Sequence, residues 1–250
     1  MPVWTVVVLA VVAFGAGTVD AIAGGGGLVT VPALLAAGLP APIALGTNKG
    51  QSVWGSGAAM IAFWRAGRID RRQALFAFPL GFLGSLAGAT LVLGISKDAL
   101  RPIVIGMLIG AAVLLAIKKP SRDEDAPKRP LVAAMLSLVI GAYDGFFGPG
   151  TGTFLIVGFV AWCGRSLVNA SADAKVVNFG SNLAAVLVFA RDGSVLWEVA
   201  LPMAVGQLLG GVVGARVAIR GGTRLVRATV LIVSGALFAK LLWELLRGAT

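Results

Sequence analysis

Four ionisable residues stand inside stretches that are otherwise apolar: Asp20, Lys49, Asp144 and Lys175. Such groups are expensive within a membrane span, and where they occur they read as functional. Each aspartate leads into a glycine-rich run. Asp20 is followed by Gly24, Gly25, Gly26 and Gly27, and Asp144 by Gly148-Pro149-Gly150-Thr151-Gly152. A glycine inside a helix costs roughly 1 kcal/mol relative to alanine, so runs of this kind break a helix. Backbone released at membrane depth must be buried in protein or line a wet cavity. The helices that restart near Leu28 and Thr153 would present free N–H groups and the positive end of a dipole, an anion site without a charged side chain. Discontinuous helices of this type commonly build the substrate sites of transporters. Thr151 and Thr153 add hydroxyls, and Pro149 lies near a helix start, where a missing N–H costs little.

Each lysine sits in a polar stripe. Lys49 has Asn48, Gln51 and Ser52 within a turn, and Lys175 has Asn178, Ser181 and Asn182 within two. Spacings of three put Lys49 with Ser52, and Lys175 with Asn178, on one helix face; Ser56 and Asn182 extend these faces by a turn. The stripe is expected to face the bundle interior, the alternative being lysines that snorkel to an interface. The candidate anion-binding residues are thus Asp20, Gly24 to Gly27, Asn48, Lys49 and Ser52, with Asp144, Gly148, Gly150, Thr151, Gly152, Lys175 and Asn178. Bare carboxylates would repel an anion. Either each pairs with a lysine, Asp20 with Lys49 and Asp144 with Lys175, or each is protonated and takes part in proton coupling. Asp173, beside Lys175, fits a loop as well as a helix and receives no role.

The elements that must hold these residues are membrane helices. Of the 250 residues, 58% are hydrophobic and only 13% charged, and the mean hydropathy is +0.92. Each span needs about 20 apolar residues, and near-spanning runs recur from end to end. The net charge of +10 would suggest nucleic acid in a soluble chain, but here the basic residues sit in short loops and read as topology signals, with no nucleic-acid partner. There is no histidine, which removes the usual metal ligand and proton relay. A single cysteine, Cys163, allows neither an internal disulfide nor a thiolate cluster. No metal or cofactor is expected. No nucleophile elbow and no phosphate-cradling loop is present, so the chain does not read as an enzyme. Ala21-Ile22-Ala23 imitates a signal-peptide cleavage site but lacks a basic n-region, and the first segment reads as a retained helix.

Apolar segments run about 3–23, 28–39, 43–64, 74–94 and 102–117, then, after a polar loop, 131–147, 153–163, 176–190, 197–219 and 225–246. The two series match. At an offset of 126, Lys49 falls on Lys175, Ser56 on Asn182, Gly84 on Gly210 and Gly88 on Gly214; at 124, Asp20 falls on Asp144 and Gly24 on Gly148. The chain divides into a first repeat, 1–117, a cytoplasmic linker, 118–129, and a second repeat, 130–250. With the linker inside and each half crossing an odd number of times, 14 of the lysines and arginines outside the spans lie inside and 5 outside. Basic residues also change loops between halves: four arginines occupy 65–72 against one at 191–196. Charge that switches sides is what inverted repeats require. The fold expected is therefore an all-α polytopic membrane protein of two inverted repeats. Each repeat has a glycine-broken pair, bent or re-entrant, plus three spanning helices.

The duplicated pattern resembles the sulfite exporter TauE/SafE family, also called the toluene-sulfonate uptake permease group. The resemblance rests on Gly17–Gly27 leading into Pro32, on Ala44-Leu45-Gly46-Thr47-Asn48 and on Arg65-Ala66-Gly67-Arg68-Ile69-Asp70. In the second half it rests on Gly141-Ala142-Tyr143-Asp144-Gly145-Phe146-Phe147-Gly148-Pro149-Gly150. It implies a multi-pass permease of the bacterial inner membrane for sulfite, organosulfonates and related small anions. The expected function is export of a small sulfur anion by alternating access, with an anion channel or proton-coupled uptake as alternatives. An inside-negative potential would drive such export at about 2.3 kcal/mol per charge per 100 mV. The expected partners are the anion and the bilayer, with a homo-oligomer left open.

Overall fold

A computed structural model describes residues 1–95 and 129–248, with side chains to 232. Eight helices follow in order: α1 (Val3–Ala23), α2 (Gly27–Ala36), α3 (Ala41–Arg65), α4 (Arg71–Leu93), α5 (Pro130–Phe146), α6 (Thr151–Cys163), α7 (Leu167–Arg191) and α8 (Trp197–Gly248). Helix α8 is bent at Gly222, whose φ is 61°. No strand occurs among the described residues. Among the described residues four helices are long and apolar enough to cross a membrane: α1, α4, α7 and α8 over Trp197–Ile232. Helix α3 has the length, 25 residues, but carries the polar stripe around Lys49. Helices α2, α5 and α6 are shorter and apolar. The chain is an all-α multi-pass membrane protein. The segment expected at 102–117 and the linker up to residue 128 lie outside the described residues.

The glycine runs end helices where their backbone freedom is needed. Helix α1 stops at Ala23, and Gly24 takes the left-handed conformation (φ 79°) as its N–H returns to the Asp20 carbonyl at 2.8 Å. Helix α5 stops at Phe146, and Gly148 and Gly150, at φ 96° and 87°, carry the chain to α6. Helix α2 ends at Ala36, short of the expected 39, the segments expected at 197–219 and 225–246 form the single bent α8, and the start of α7 departs furthest. Helix α7 begins at Leu167, nine residues before the apolar run, because Ser166 caps it by accepting the Asn169 N–H at 3.4 Å. Asn169, Ser171 and Asp173 lie within the helix, and the last two are buried.

The heaviest packing runs between the two halves. Helix α1 lies along α8, α4 along α5, and α3 and α4 both pack on α7. Small residues permit this. A Cβ at Gly84 or Gly88 would sit 2.2 Å from the Leu138 carbonyl oxygen or 2.0 Å from that of Ala142. At Gly210 and Gly214 it would meet the oxygens of Phe14 and Thr18, at 2.2 and 2.3 Å. These four contacts keep the offsets of the duplication, so one helix crossing is used twice.

Helices α3 and α7 run antiparallel, each with its start against the turn that follows the other. Thr47 Oγ1 accepts the Leu196 N–H at 3.0 Å, and Asp173 Oδ1 accepts the Asp70 N–H at 2.9 Å. Thr47 and Asp173 are equivalent at the offset of 126, as are Asp70 and Leu196, so a single contact recurs with an uncharged acceptor in one half and a carboxylate in the other. Asp173 also takes Arg165 Nε at 2.6 Å. Ile69, Leu167 and Val226 share one apolar cluster, which gathers the arginine-bearing stretches 65–72 and 216–227, with Arg165, at one end of the bundle. Asp173→Ala leaves Arg165 without its nearest counter-charge and is expected to destabilise the protein by about 2–4 kcal/mol. Thr47→Val, which removes one neutral hydrogen bond, costs about 1 kcal/mol. Melting in detergent by tryptophan fluorescence orders the two.

Candidate functional site

The two glycine breaks touch at the centre of the molecule. A Cβ at Gly24 would lie 2.1 Å from the carbonyl carbon of Gly152, and one at Gly27 would lie 3.2 Å from Pro149 Cα. The second half also closes the frayed end of α1, where the last carbonyls of a helix have no partner of their own. Ser171 Oγ donates to the Ala21 and Ile22 carbonyls at 3.0 and 3.1 Å. Thr153 Oγ1 donates to Ala23 at 2.9 Å, and the Thr153 N–H donates to Gly24 at 3.1 Å. The α6 start therefore spends one of its free amides on α1. The amides of Gly27 and Gly152, one at each helix start, find no partner among the described residues.

Both lysines are buried, Lys49 at 2% and Lys175 at 0% exposure, so neither snorkels. Both meet a carboxylate, but not the one expected. Lys49 Nζ lies 2.7 Å from Asp144 Oδ1, and Lys175 Nζ lies 2.8 Å from Asp20 Oδ2. The pairing of Asp20 with Lys49 and of Asp144 with Lys175 is corrected: each ion pair crosses from one half to the other. The reason is the close approach of the breaks, which brings Asp20 near the end of α1 to Lys175 and Asp144 near the end of α5 to Lys49.

The equivalent pairs are not equally furnished. Asp144 also accepts from Thr151 Oγ1 at 2.8 Å and, through a short bond, from Ser181 Oγ. Lys49 further donates to Asn182 Oδ1 at 3.1 Å. Among the described residues Asp20 has, beside Lys175, only the Gly26 N–H at 3.1 Å, and its side chain is 22% exposed against 5% for Asp144. The difference is written in the sequence: Thr151 and Ser181 stand where the first half has Gly27 and Gly55.

Between the pairs lies a cavity of ≈ 30 Å³, room for about two waters. Twelve of the fifteen expected residues line it: Asp20, Gly24, Gly26, Gly27, Asn48, Lys49, Ser52, Asp144, Gly148, Thr151, Gly152 and Asn178. Gly25 and Gly150 do not, and Lys175 stands behind Asp20. The Asn48 carbonyl takes Thr30 Oγ1 at 2.6 Å and Gln51 Nε2 at 2.9 Å, which leaves its NH₂ as a donor. Asn178 is 4% exposed, and its Oδ1 has no hydrogen-bond partner among the described residues. A buried polar group left this way normally meets water or a ligand. The lining contains carboxylates, an ammonium, amides and hydroxyls, and no group of three potential metal ligands occurs among the described residues. Such a set binds by charge and hydrogen bonds.

Two further residues line the cavity, Asn182 and Gln207. Asn182 belongs to the α7 stripe. Gln207 was missed because its counterpart is Gly81 and it stands alone in an apolar stretch of α8. Its signal lies in its neighbours, since a Cβ on Gly17 or Gly55 would come within 2.8 or 2.5 Å of its Oε1. Two glycines make room for it.

The comparisons with known proteins agree with this architecture. The chain is 42% identical over 237 residues to a probable membrane transporter protein, ORF9, of Sinorhizobium sp., covering 94% of this chain and 91% of the relative. It is 40% identical over 243 residues to the probable membrane transporter protein YfcA of Escherichia coli K12, covering 95% and 89%. A probable membrane transporter protein of Haemophilus influenzae is 38% identical over 240 residues, covering 95% and 94%. The family model described as sulfite exporter TauE/SafE matches residues 9–241. With that match over nearly its whole length, the chain belongs to the TauE/SafE family of multi-pass membrane transporters of the inner membrane.

Proposed function

We propose that this transporter carries sulfite or a related small sulfur anion, including simple sulfonates, out of the cell, and that the cavity between the glycine breaks is its substrate site. The observation that carries the reading is the set of two buried lysines, each matched to a carboxylate of the opposite half, around a cavity lined by the starts of two helices. An anion there meets the partner-free amides of Gly27 and Gly152, the Asn48 and Asn178 side chains and the field of both lysines. The cavity as it stands holds about two waters, so the larger sulfonates need it to widen, which fits a carrier that moves one half against the other. The antiparallel α3 and α7, with helix crossings that exchange between halves, support inverted repeats and alternating access.

Two measurements test this. Proteoliposomes loaded with sulfite, thiosulfate, sulfate or methanesulfonate are expected to release the sulfur anion of choice faster than empty liposomes. Release at the empty-liposome rate for all four would sink the reading. Inverted repeats with the arginine-bearing end inside put residues 65–73 and 220–224, with the 118–129 loop, in the cytoplasm and both chain ends outside. Single cysteines at these places should label accordingly from either face. Both termini reacting from the cytoplasm would favour parallel halves.

A further inference from the structure

The two equivalent ion pairs differ in what else holds them, and the difference assigns them different work. We propose that Asp20 and Lys175 form an exchangeable pair: the arriving anion takes the place of the Asp20 carboxylate on Lys175, and Asp20 takes up a proton from water as it leaves. Lys49 and Asp144 stay closed and hold the halves together. This rests on the cavity being the substrate site and adds a coupling ion to it.

Asp144 is tied down from three helices. Lys49 reaches it from α3, Thr151 from α6 and Ser181 from α7, and little of it is open. Moving it breaks three contacts at once. Asp20 gives up one ion pair and one backbone amide, and it is the more open carboxylate. Lys175 is wholly buried, and Asp20 is its one hydrogen-bond partner among the described residues. An ammonium with no second partner needs a replacement anion when its carboxylate departs.

The surroundings of Asp20 decide what becomes of its charge. Helix α7 offers Lys175, which the anion then occupies, and α3 offers Lys49, already committed to Asp144. Helix α5 brings Asp144 itself to the cavity, a like charge. Helix α8 brings neutral Gln207, the residue before α2 the Gly26 amide, and α6 the Thr151 hydroxyl and the Gly152 amide, none of them titratable. In this proposal Asp20, freed from its lysine and beside the Asp144 carboxylate, is balanced by a proton instead. Charge then balances. The empty site holds Lys175 as cation and Asp20 as anion. The loaded site holds Lys175 as cation, the substrate as anion and Asp20 neutral. For a monoanion the site has the same net charge in both states, so the cycle moves one anion with one proton and no net charge, and export then runs on the outward gradient of the anion and not on the membrane potential.

The test uses methanesulfonate, which stays a monoanion across the working pH range, with the purified full-length protein. Calorimetry in buffers of different ionisation enthalpy should record uptake of about one proton per anion bound, with affinity falling about tenfold per unit rise in pH. Asp20→Asn should bind methanesulfonate with an affinity flat in pH and take up no proton. In proteoliposomes its transport should follow the membrane potential, where the wild type follows the pH gradient. Ser181→Ala, which loosens Asp144 without removing it, should keep wild-type proton uptake and guards against Asp144→Asn failing to fold. Binding without proton uptake in the wild type overturns the exchange and leaves the substrate site standing. Proton uptake that persists in Asp20→Asn likewise overturns it. Failure of the wild type to bind either sulfite or methanesulfonate overturns the substrate reading, and the exchange with it.

Discussion

Gly24→Ala is expected to disrupt the centre of this protein and not merely to weaken its hold on an anion. The new methyl would lie 2.1 Å from the Gly152 carbonyl carbon and 2.4 Å from the Thr153 nitrogen, backbone atoms that have no rotamer to change. The residue would also have to keep a φ of 79°, at about 1–2 kcal/mol for a residue with a Cβ. Relief requires the breaks to separate, which releases the Thr153 bonds to the Ala23 and Gly24 carbonyls. The sum should exceed about 4 kcal/mol, the range reached only when packing and hydrogen bonding fail together. For a chain of this size that is a fall of roughly 10 °C in melting temperature. Gly15→Ala is the control. It sits within α1 with nothing within 4 Å of its would-be Cβ, and should be neutral or slightly stabilising. Gly84 is unsuited to that role, since its Cβ would strike the Leu138 carbonyl at 2.2 Å. A Gly24→Ala variant melting with wild type would show that the breaks do not need their close approach.

The second large effect is a rescue. Lys49→Ala strands Asp144 at 4% exposure with two hydroxyls and no counter-ion, and breaking a buried pair in this way costs about 3–5 kcal/mol. Removing the second charge as well, in Lys49→Ala with Asp144→Ala, should recover at least half of that loss. Lys49→Ala with Asp20→Ala should lose further, because it also frees Lys175. Melting temperatures of the three single variants (Lys49→Ala, Asp144→Ala and Asp20→Ala) and the two double variants complete both cycles. Rescue by Asp20→Ala in place of Asp144→Ala would restore pairing within each half. The lysines are thus expected to hold the fold as well as to offer charge.

Much of the candidate site's lining is legible in the sequence. A carboxylate, a glycine run and a lysine in the same order twice is a pattern that few constraints other than a shared site impose, and the helix ends fall where the glycines require. The partner of each lysine was not legible. A duplication makes Asp20 equivalent to Asp144, and equivalence carries no information about which copy lies nearer; only the contact of Gly24 with Gly152 decides it. The start of α7 was hidden for a related reason. Its first two turns carry Asn169, Ser171 and Asp173, which read as loop until the backbone of the first half supplies partners for the last two. Gln207 was invisible because an isolated amide in an apolar helix has no periodicity to betray it.

The closing of α1 by Thr153 and Ser171, and of Lys49 by Asp144, has a consequence for how the chain is made. Synthesis runs at about 5–20 residues per second, so Lys49 waits roughly 5–20 s before Asp144 leaves the ribosome. Through that interval the first half sits in the membrane with a charge that has no counter-ion from the other half, and with the end of α1 uncapped. A lysine at mid-span costs about 2.5–3.5 kcal/mol to insert. The first half is therefore an obligate intermediate, to be held by lipid headgroups, water or the insertion machinery until its complement arrives. Quality control would have a ready mark of an unfinished molecule: an exposed lysine beside a frayed helix end, erased only when the last half docks.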